Sequence, residues 1–443
     1  MNQEQGSPPA PVPFRAKQVG EVRSRWEWVE PAAWTDRMLT TLERGVKGGK
    51  WFSLIDKVAS LRVLHASFER VKRNKGAAGI DHVTIHQFES NLEQELLKLH
   101  RSLLAGSYRP QEILRQWIPK PGGGQRPLGI PTVRDRVARG ALRSVLEPIF
   151  EKDFAAHSYG FRPGRGCRDA LRHVQDLLDK GFTWVVDADY RSFFDTLAYE
   201  VLLTQVAKKV SDGQVLDLVN TFLHQRIVEG LEGWVPTAGT PQGAVISPLL
   251  ANIYLDPLDH LLASAGFHVV RYADDLVILC ESEAKGREAL ALLKNWSSQV
   301  GLSLHPEKTL LVDATQATGF EFLGYHFRQG QRWPRKKSLE RLKCRVRELT
   351  KRNNGHSLER IIARLNSVLR GWFGYFKHSH RFIFERLDQW IRVRLRNLLR
   401  RRSGRRGRSQ GADNVRWPNQ FFVDRGLYSL KEAHAQACQS CHR

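Results

Sequence analysis

Two adjacent carboxylates, Asp274 and Asp275, stand inside Phe267-His268-Val269-Val270-Arg271-Tyr272-Ala273-Asp274-Asp275-Leu276-Val277-Ile278-Leu279. An apolar run, two acids and a second apolar run read as a β-hairpin with the acids at its tight turn. Burying both strands pins the turn, so the carboxylates sit on a rigid tip. Hard divalent cations take oxygen ligands, and Mg²⁺ is usually held by one or two carboxylates plus substrate phosphates. Asp is also a common turn residue, so an acidic surface hairpin is the competing reading. A second segment, Trp184-Val185-Val186-Asp187-Ala188-Asp189-Tyr190-Arg191-Ser192-Phe193-Phe194-Asp195, starts as an apolar strand and ends in acids. Two such strands can brace a pair of metal ions, and ions about 3.5–4 Å apart can clamp the attacking and leaving oxygens of a phosphoryl transfer. Between them lies Gly239-Thr240-Pro241-Gln242-Gly243-Ala244-Val245-Ile246-Ser247-Pro248. This is a Gly/Pro-punctuated loop opening an apolar helix, where backbone can approach a nucleotide closely.

The elements that position these groups follow from pattern. Helices are expected around 35–44 and 53–72, after the aromatic-rich Trp26-Glu27-Trp28 and Ala32-Ala33-Trp34. Ser338 to Arg402 reads as three helices, broken near Asn353-Asn354-Gly355 and His378-Ser379-His380. Ile361, Leu365, Val368, Trp372 and Tyr375 fall at helical spacing and form an expected core face. Arg360, Arg364 and Arg370 project elsewhere on that helix. Arg400-Arg401-Arg402-Ser403-Gly404-Arg405-Arg406-Gly407-Arg408 reads as a flexible basic linker, and Trp417, Phe421 and Phe422 as a small aromatic cluster beyond it.

Charge narrows the partner class. The 443 residues carry a net charge of +23, and residues 331–410 hold 25 Lys/Arg against 5 Asp/Glu. Such asymmetry suits a polyanion rather than solubility alone. The five cysteines, Cys167, Cys280, Cys344, Cys438 and Cys441, form no disulfide framework, which fits a reducing cytoplasm. Cys438-Gln439-Ser440-Cys441-His442 is half a zinc site at best. No stretch approaches the ~20 apolar residues of a membrane span, and no charged-then-apolar leader opens the chain. Residues 1–17, with Pro8, Pro9, Pro11 and Pro13, read as a disordered lead.

The ordered set of motifs resembles the reverse transcriptases encoded by bacterial group II introns. Asn74-Lys75-Gly76-Ala77-Ala78-Gly79-Ile80-Asp81 is similar to their N-terminal extension loop, and Ile118-Pro119-Lys120 through Gln125-Arg126-Pro127-Leu128-Gly129-Ile130 to their fingers hairpin. Ser158-Tyr159-Gly160-Phe161-Arg162-Pro163-Gly164-Arg165-Gly166-Cys167, Gly301-Leu302-Ser303-Leu304-His305-Pro306-Glu307-Lys308 and Phe320-Glu321-Phe322-Leu323-Gly324-Tyr325 resemble further family blocks. Arg364-Leu365-Asn366-Ser367-Val368-Leu369-Arg370-Gly371-Trp372-Phe373-Gly374-Tyr375-Phe376 looks like the signature of the maturase domain, or thumb.

The resemblance implies an α+β, right-hand polymerase: fingers and palm of antiparallel sheet plus helices, then an α-helical thumb/maturase domain. The expected divisions are an N-terminal extension over 1–65, fingers and palm over 66–330, thumb over 331–402, and a basic linker with a small DNA-binding-like tail over 403–443. The expected class is the compact one without a C-terminal endonuclease. Asp189, Asp274 and Asp275 would be the catalytic metal ligands for two Mg²⁺, with Mn²⁺ as alternative ion and Asp187 as rival to Asp189. Phe194, five residues after Asp189, would be the gate beneath the sugar, with Phe193 as its rival. Lys120, Arg126, Gln242 and Lys308 would bind the nucleotide; Arg115 is less secure, and Lys308 reads equally well as a surface lysine. Arg364, Arg370, Arg381, Arg401, Arg402, Arg405 and Arg406 would contact nucleic acid. The implied function is RNA-directed DNA synthesis from dNTPs, with splicing-maturase binding of an intron RNA and target-primed mobility. Partners would be RNA template, intron RNA, DNA target and primer, but no membrane; the expected location is the bacterial cytoplasm at the nucleoid. Competing readings are a domesticated relative in repair or phage defence and a purely RNA-binding splicing cofactor.

Overall fold

A computed structural model of the chain describes residues 22–46, 48–119, 124–241 and 243–440. The proline-rich lead, Lys120, Gln242 and Cys441 lie outside the described residues. The chain divides into two compact units. Among the described residues, the first comprises those up to Ala170 with Ala188–Leu276 and Ala289–Lys308; the second comprises Leu171–Asp187, Val277–Glu288 and those from Thr309 onward.

The first unit is built on the helix Val133–Glu151, which is buried along most of its length. Thr132 starts it by accepting a hydrogen bond from the Asp135 backbone N–H, the usual work of an N-cap threonine. Gly140 allows the helix Leu61–Arg73 to cross closely, since a Cβ there would lie 2.2 Å from Ser67 Oγ. Trp34 has no exposed surface and donates through its indole N–H to the Ser144 carbonyl at 3.2 Å. The aromatic N-terminal segment is thus fastened to the central helix. The expected helices appear as Asp36–Arg44, Ile55–Ala59 and Leu61–Arg73. Ser60 divides the last two, with extended backbone at φ −52° and ψ 128°.

Strands β1 (Ile113–Pro119) and β2 (Gln125–Ile130) form the antiparallel fingers hairpin, with Arg126 opposite Ile118. Between this hairpin and the later strands, β3 runs from Trp184 to Ala188. Strands β4 (Ile227–Glu229) and β5 (Glu232–Trp234) extend the fingers sheet in the order β2-β1-β4-β5. One ladder departs from the antiparallel expectation: β1 and β4 are parallel, pairing Ile113 with Ile227 and Leu114 with Val228. A chain segment that returns to the sheet through intervening helices is free to run parallel. The helix Ser247–Ser264 leads to β6 (His268–Tyr272), whose tight turn enters β7 (Asp275–Cys280).

In the second unit β7, β3 and β8 (Leu310–Asp313) lie side by side in that order. β3 and β8 are antiparallel, with Val185 opposite Val312. β9 (Phe320–Phe322), β10 (Tyr325–Arg328) and β11 (Gln331–Pro334) form an antiparallel sheet with β10 in the centre. Three helices follow, Lys336–Leu349, Leu358–Phe376 and Phe382–Arg402, with breaks where the Asn-Asn-Gly and His-Ser-His segments were expected to place them. The buried face of Leu358–Phe376 is rotated from the expected stripe. Leu358, Ile361, Ile362, Leu365, Leu369, Phe373 and Phe376 are buried, whereas Val368 and Trp372 flank the core and Tyr375 is half-buried. Spacing of four alone fits two neighbouring stripes on a helix, and the wider apolar set decides between them.

Two further expectations are revised in this unit. Arg400–Arg402 form the last turn of the third helix rather than a flexible linker. Arg400 donates to the fully buried Asp413 carboxylate at 2.8 Å, with Arg405 at 3.9 Å from it. Arg402 donates to the carbonyls of Asn354 and His356. A buried carboxylate demands donors, and that demand orders the basic segment. The aromatic tail also shares the thumb core: Trp417, Phe422 and Leu430 are buried among Leu342, Leu365 and Phe384.

Candidate active site

The turn carries the first acids. Val269, Val270 and Arg271 of β6 are buried, and Leu276 onward in β7 is buried as well, so both strands anchor the tip. Ala273 adopts φ +60°, a left-handed conformation that costs a residue with a Cβ roughly 1–2 kcal/mol. Asp274 is half-buried and Asp275 exposed. Burial pushes the Asp274 carboxyl above the usual carboxylate range, the charge of Asp189 pushes it further, and Arg271 and Arg126 oppose them. Asp189, Asp274 and Arg126 therefore share one electrostatic field, as expected of an active site.

Asp189 follows β3 and is held through its backbone. Its carbonyl accepts from His305 N–H at 2.7 Å, Arg191 N–H donates to Ser303 at 2.9 Å, and Tyr190 bridges Leu304. The Gly301–Lys308 block thus fixes the strand end that presents the acid. Lys308 Nζ lies 2.7 Å from Asp189 Oδ2. The lysine is exposed and pairs with Asp189 across the strand end. Asp187 is half-buried inside β3, with Leu310 as its partner in β8.

Phe193 and Phe194 have different surroundings. Phe193 is 2% exposed and packs on Tyr190, with ring centroids 5.8 Å apart. Phe194 remains half-buried, edge-on to Phe193. Its carbonyl accepts from Thr240 N–H at 2.6 Å. That contact requires Gly239, at φ +87°, where a Cβ would meet the Asp195 backbone at 2.7 Å. Gly243, at φ +99°, similarly admits Leu128 of β2, which a Cβ would approach to 2.6 Å. The Gly-Pro loop is therefore seated between the Phe194 turn and the fingers hairpin. Beside it is a cavity of about 160 Å³ lined by Arg115, Pro127, Asp195, Trp234, Gly239 and Thr240. The Arg115 guanidinium lies over Trp117 at 5.3 Å and over Trp234 at 5.1 Å. Trp234 was not singled out in the sequence; its signal was an aromatic in a short strand after a Gly turn.

Among the described residues no three His, Cys, Asp or Glu side chains converge so as to hold a metal ion by themselves. Asp189 and Asp274 feel each other's charge, and one or two carboxylates completed by substrate phosphates are the donor chemistry that suits Mg²⁺. The thumb candidates form a separate group in the second unit. Arg364, Arg370, Arg381, Arg401, Arg402, Arg405 and Arg406 are all exposed. Arg370 also lies over Tyr428 at 5.5 Å and Arg381 over Phe382 at 5.3 Å.

Comparison with known proteins gives matches over two stretches of the chain. Residues 118–327 match the family described as reverse transcriptase (RNA-dependent DNA polymerase). Residues 339–417 match the group II intron maturase-specific domain. Over these two stretches the chain is similar to the group II intron reverse transcriptase–maturases. Protein YkfC of Escherichia coli is 41% identical over 196 residues, covering 43% of this chain and 51% of that protein. The group II intron-encoded protein LtrA of Lactococcus lactis is 36% identical over 200 residues, covering 44% of this chain and 33% of LtrA. The chain thus spans about half of one relative and a third of the other. A telomerase structure from Candida albicans superposes with a TM-score of 0.42 at 14% identity, covering 80% of this chain and 68% of that one. The matched segment has the mixed α/β reverse transcriptase fold that the motif order implied. No helix among the described residues is long and apolar enough to cross a membrane.

Proposed function

We propose that this chain extends a primer 3′-OH with deoxynucleotides on an RNA template, and that its thumb binds structured intron RNA as a splicing maturase. The observation that carries the reading is the acidic site itself: Asp274 on a strained, anchored turn, in the field of Asp189, with Lys308 and Arg126 beside them. Asp189, Asp274 and Asp275 would hold two Mg²⁺, or Mn²⁺ in its place. Bound there, the ions would neutralise the triphosphate and stabilise the charge that develops on the transferring phosphoryl group. Arg126 offers a guanidinium fork to phosphate oxygens, and Lys308 a mobile ammonium for the leaving pyrophosphate. Lys120 and Gln242 belong to the same proposal by their place in the motifs. The half-buried Phe194 ring would pack under the sugar and exclude a 2′-OH. The exposed thumb arginines would contact phosphates, which position nucleic acid without reading sequence. Target-primed mobility and a nucleoid location are part of the same reading.

A purely RNA-binding cofactor would not need Asp274 held at a cost, and the intact acidic turn favours the enzyme. The test is primer extension on an RNA template with Asp274→Ala, together with RNA affinity. Extension should vanish while affinity stays near wild type. Extension at the wild-type rate would sink the metal-ligand assignment. Whether the gene lies within a catalytic intron RNA separates the maturase from a domesticated relative.

A further inference from the structure

The catalytic turn is held from behind by a buried polar network. Arg271, the last buried residue of β6, is 1% exposed, and Asp259 and Asn252 on the helix Ser247–Ser264 are 0% and 1% exposed. The Arg271 Nε donates to Asp259 at 2.8 and 3.0 Å, and Nη2 to the same carboxylate. Nη1 donates to Asn252 Oδ1 at 3.0 Å and to the Ala273 carbonyl at 2.9 Å. The fork therefore has one arm on a buried anion and one on the strained residue that precedes Asp274. Only a planar guanidinium serves these three acceptors together; an ammonium is a point donor.

Asn252 closes the loop. Its Nδ2 donates to the Gly160 carbonyl at 2.9 Å. Gly160 lies against the other side of the turn, where a Cβ would stand 2.1 Å from the Ala273 nitrogen. The flanking backbone is zipped too: Arg271 N–H donates to His157 at 3.0 Å, and Tyr159 N–H to Arg271 at 2.8 Å. Ala273 is thus gripped at its carbonyl by Arg271 and flanked at its nitrogen by Gly160.

We infer that Arg271, Asn252, Asp259 and Gly160 are positioning residues for the polymerase reaction, fixing Ala273 so that Asp274 and Asp275 stand ready for metal. The inference rests on the assignment of those acids under the proposed function. It accounts for two costly features, an Arg–Asp pair taken out of water and a left-handed alanine. Buried networks fully satisfied in this way specify one conformation, and a site held loosely by its supports loses rate first.

The test uses the full chain with Arg271→Lys, which keeps the charge and loses the fork, and Gly160→Ala, which leaves the buried pair intact and presses on the Ala273 nitrogen. Single-turnover extension is measured against Mg²⁺ concentration, with primer–template affinity and thermal unfolding recorded in parallel. Both variants should lose maximal rate on the order of 10- to 100-fold. Their Mg²⁺ half-saturation should rise while primer–template affinity holds. Wild-type rate and Mg²⁺ dependence in either folded variant overturns the inference. So does a loss that only tracks the fraction of unfolded protein in both, since that is packing. Wild-type protein and Asp274→Ala run alongside: if the first fails to extend a primer, or the second succeeds, the polymerase reading itself falls and this inference with it.

Discussion

Asp274 sits where a carboxylate is expensive. Burial and the neighbouring Asp189 charge raise its pKa, so the folded protein holds that proton more tightly than the unfolded chain. A carboxyl raised in this way opposes folding once ionised; the opposition fades as pH falls through its raised folded value and is gone below the ordinary carboxylate range. Asp274→Asn should therefore raise the unfolding temperature in metal-free buffer at neutral pH. The gain should shrink in acid, and primer extension should be lost throughout. Thermal scans at pH 7 and pH 4 measure this; a variant less stable than wild type at neutral pH contradicts it. Phe194→Val tests the expected sugar gate. With its ring half-buried and Phe193 fully packed, the substitution should raise ribonucleotide use relative to deoxynucleotide. Phe193→Val should instead lower stability. An unchanged sugar preference for Phe194→Val would remove the gate.

At this scale much of the site was legible in the residues. Adjacent acids between apolar runs announce a pinned turn, and the charge of Asp189 is felt at Asp274. What stayed hidden was the support. Asp259 and Asn252 are polar residues in an apolar helix, 12 and 19 positions from Arg271. Nothing in their spacing says which buried cation they meet. The grip of Gly301–Lys308 on Asp189 is through backbone atoms, which every residue possesses, so side-chain types could not reveal it.

Among the elements, the third thumb helix and the segment that follows it carry two kinds of arginine. Arg400 faces the buried Asp413, and its Nε also donates to the Arg406 carbonyl at 3.0 Å. Arg401, Arg406 and Arg408 are exposed. Sequence shows only a basic run, because the acid that orders it arrives several residues later inside a short helix. The two kinds should separate by experiment. Neutralising Arg401, Arg406 and Arg408 together should lower the slope of log affinity against log salt by about 0.7–0.9 for each lost contact, with the unfolding temperature unchanged. Arg400→Ala should lower the unfolding temperature, because it removes the guanidinium donor of a buried carboxylate. A wild-type salt slope in the triple variant would place the nucleic-acid path elsewhere on the thumb. The face of Leu358–Phe376 makes the same point about legibility: Ile361 and Leu365 were readable as core, but which flank joined them depended on Phe373 and Leu369 meeting the neighbouring helix.

For the molecule as a whole, charge and core are carried by different residues of one region. Residues 331–410 hold a net +20 of the chain's +23, while the apolar side chains of the same stretch close the thumb core. Folding and RNA affinity should therefore respond independently. Leu365 has no exposed surface, and Leu365→Ala should cost about 2–5 kcal/mol. Urea unfolding would measure that cost. The salt slope of RNA binding, taken well below the unfolding midpoint, should stay at its wild-type value. A reduced slope would mean that core and phosphate contacts are not separable.

The thumb core also sets an order of events during synthesis. Its first buried residue is Leu342 and its last is Leu430. Those positions leave the ribosome about 4–18 seconds apart, at about 5–20 residues per second. Through that interval the buried faces of two long helices have been made, but the residues that cover them have not. The nascent thumb is therefore a client for whatever shields apolar surface in the cell. Slowing translation between these two positions should lengthen that exposure and lower the yield of folded protein, with no change in the sequence of the product.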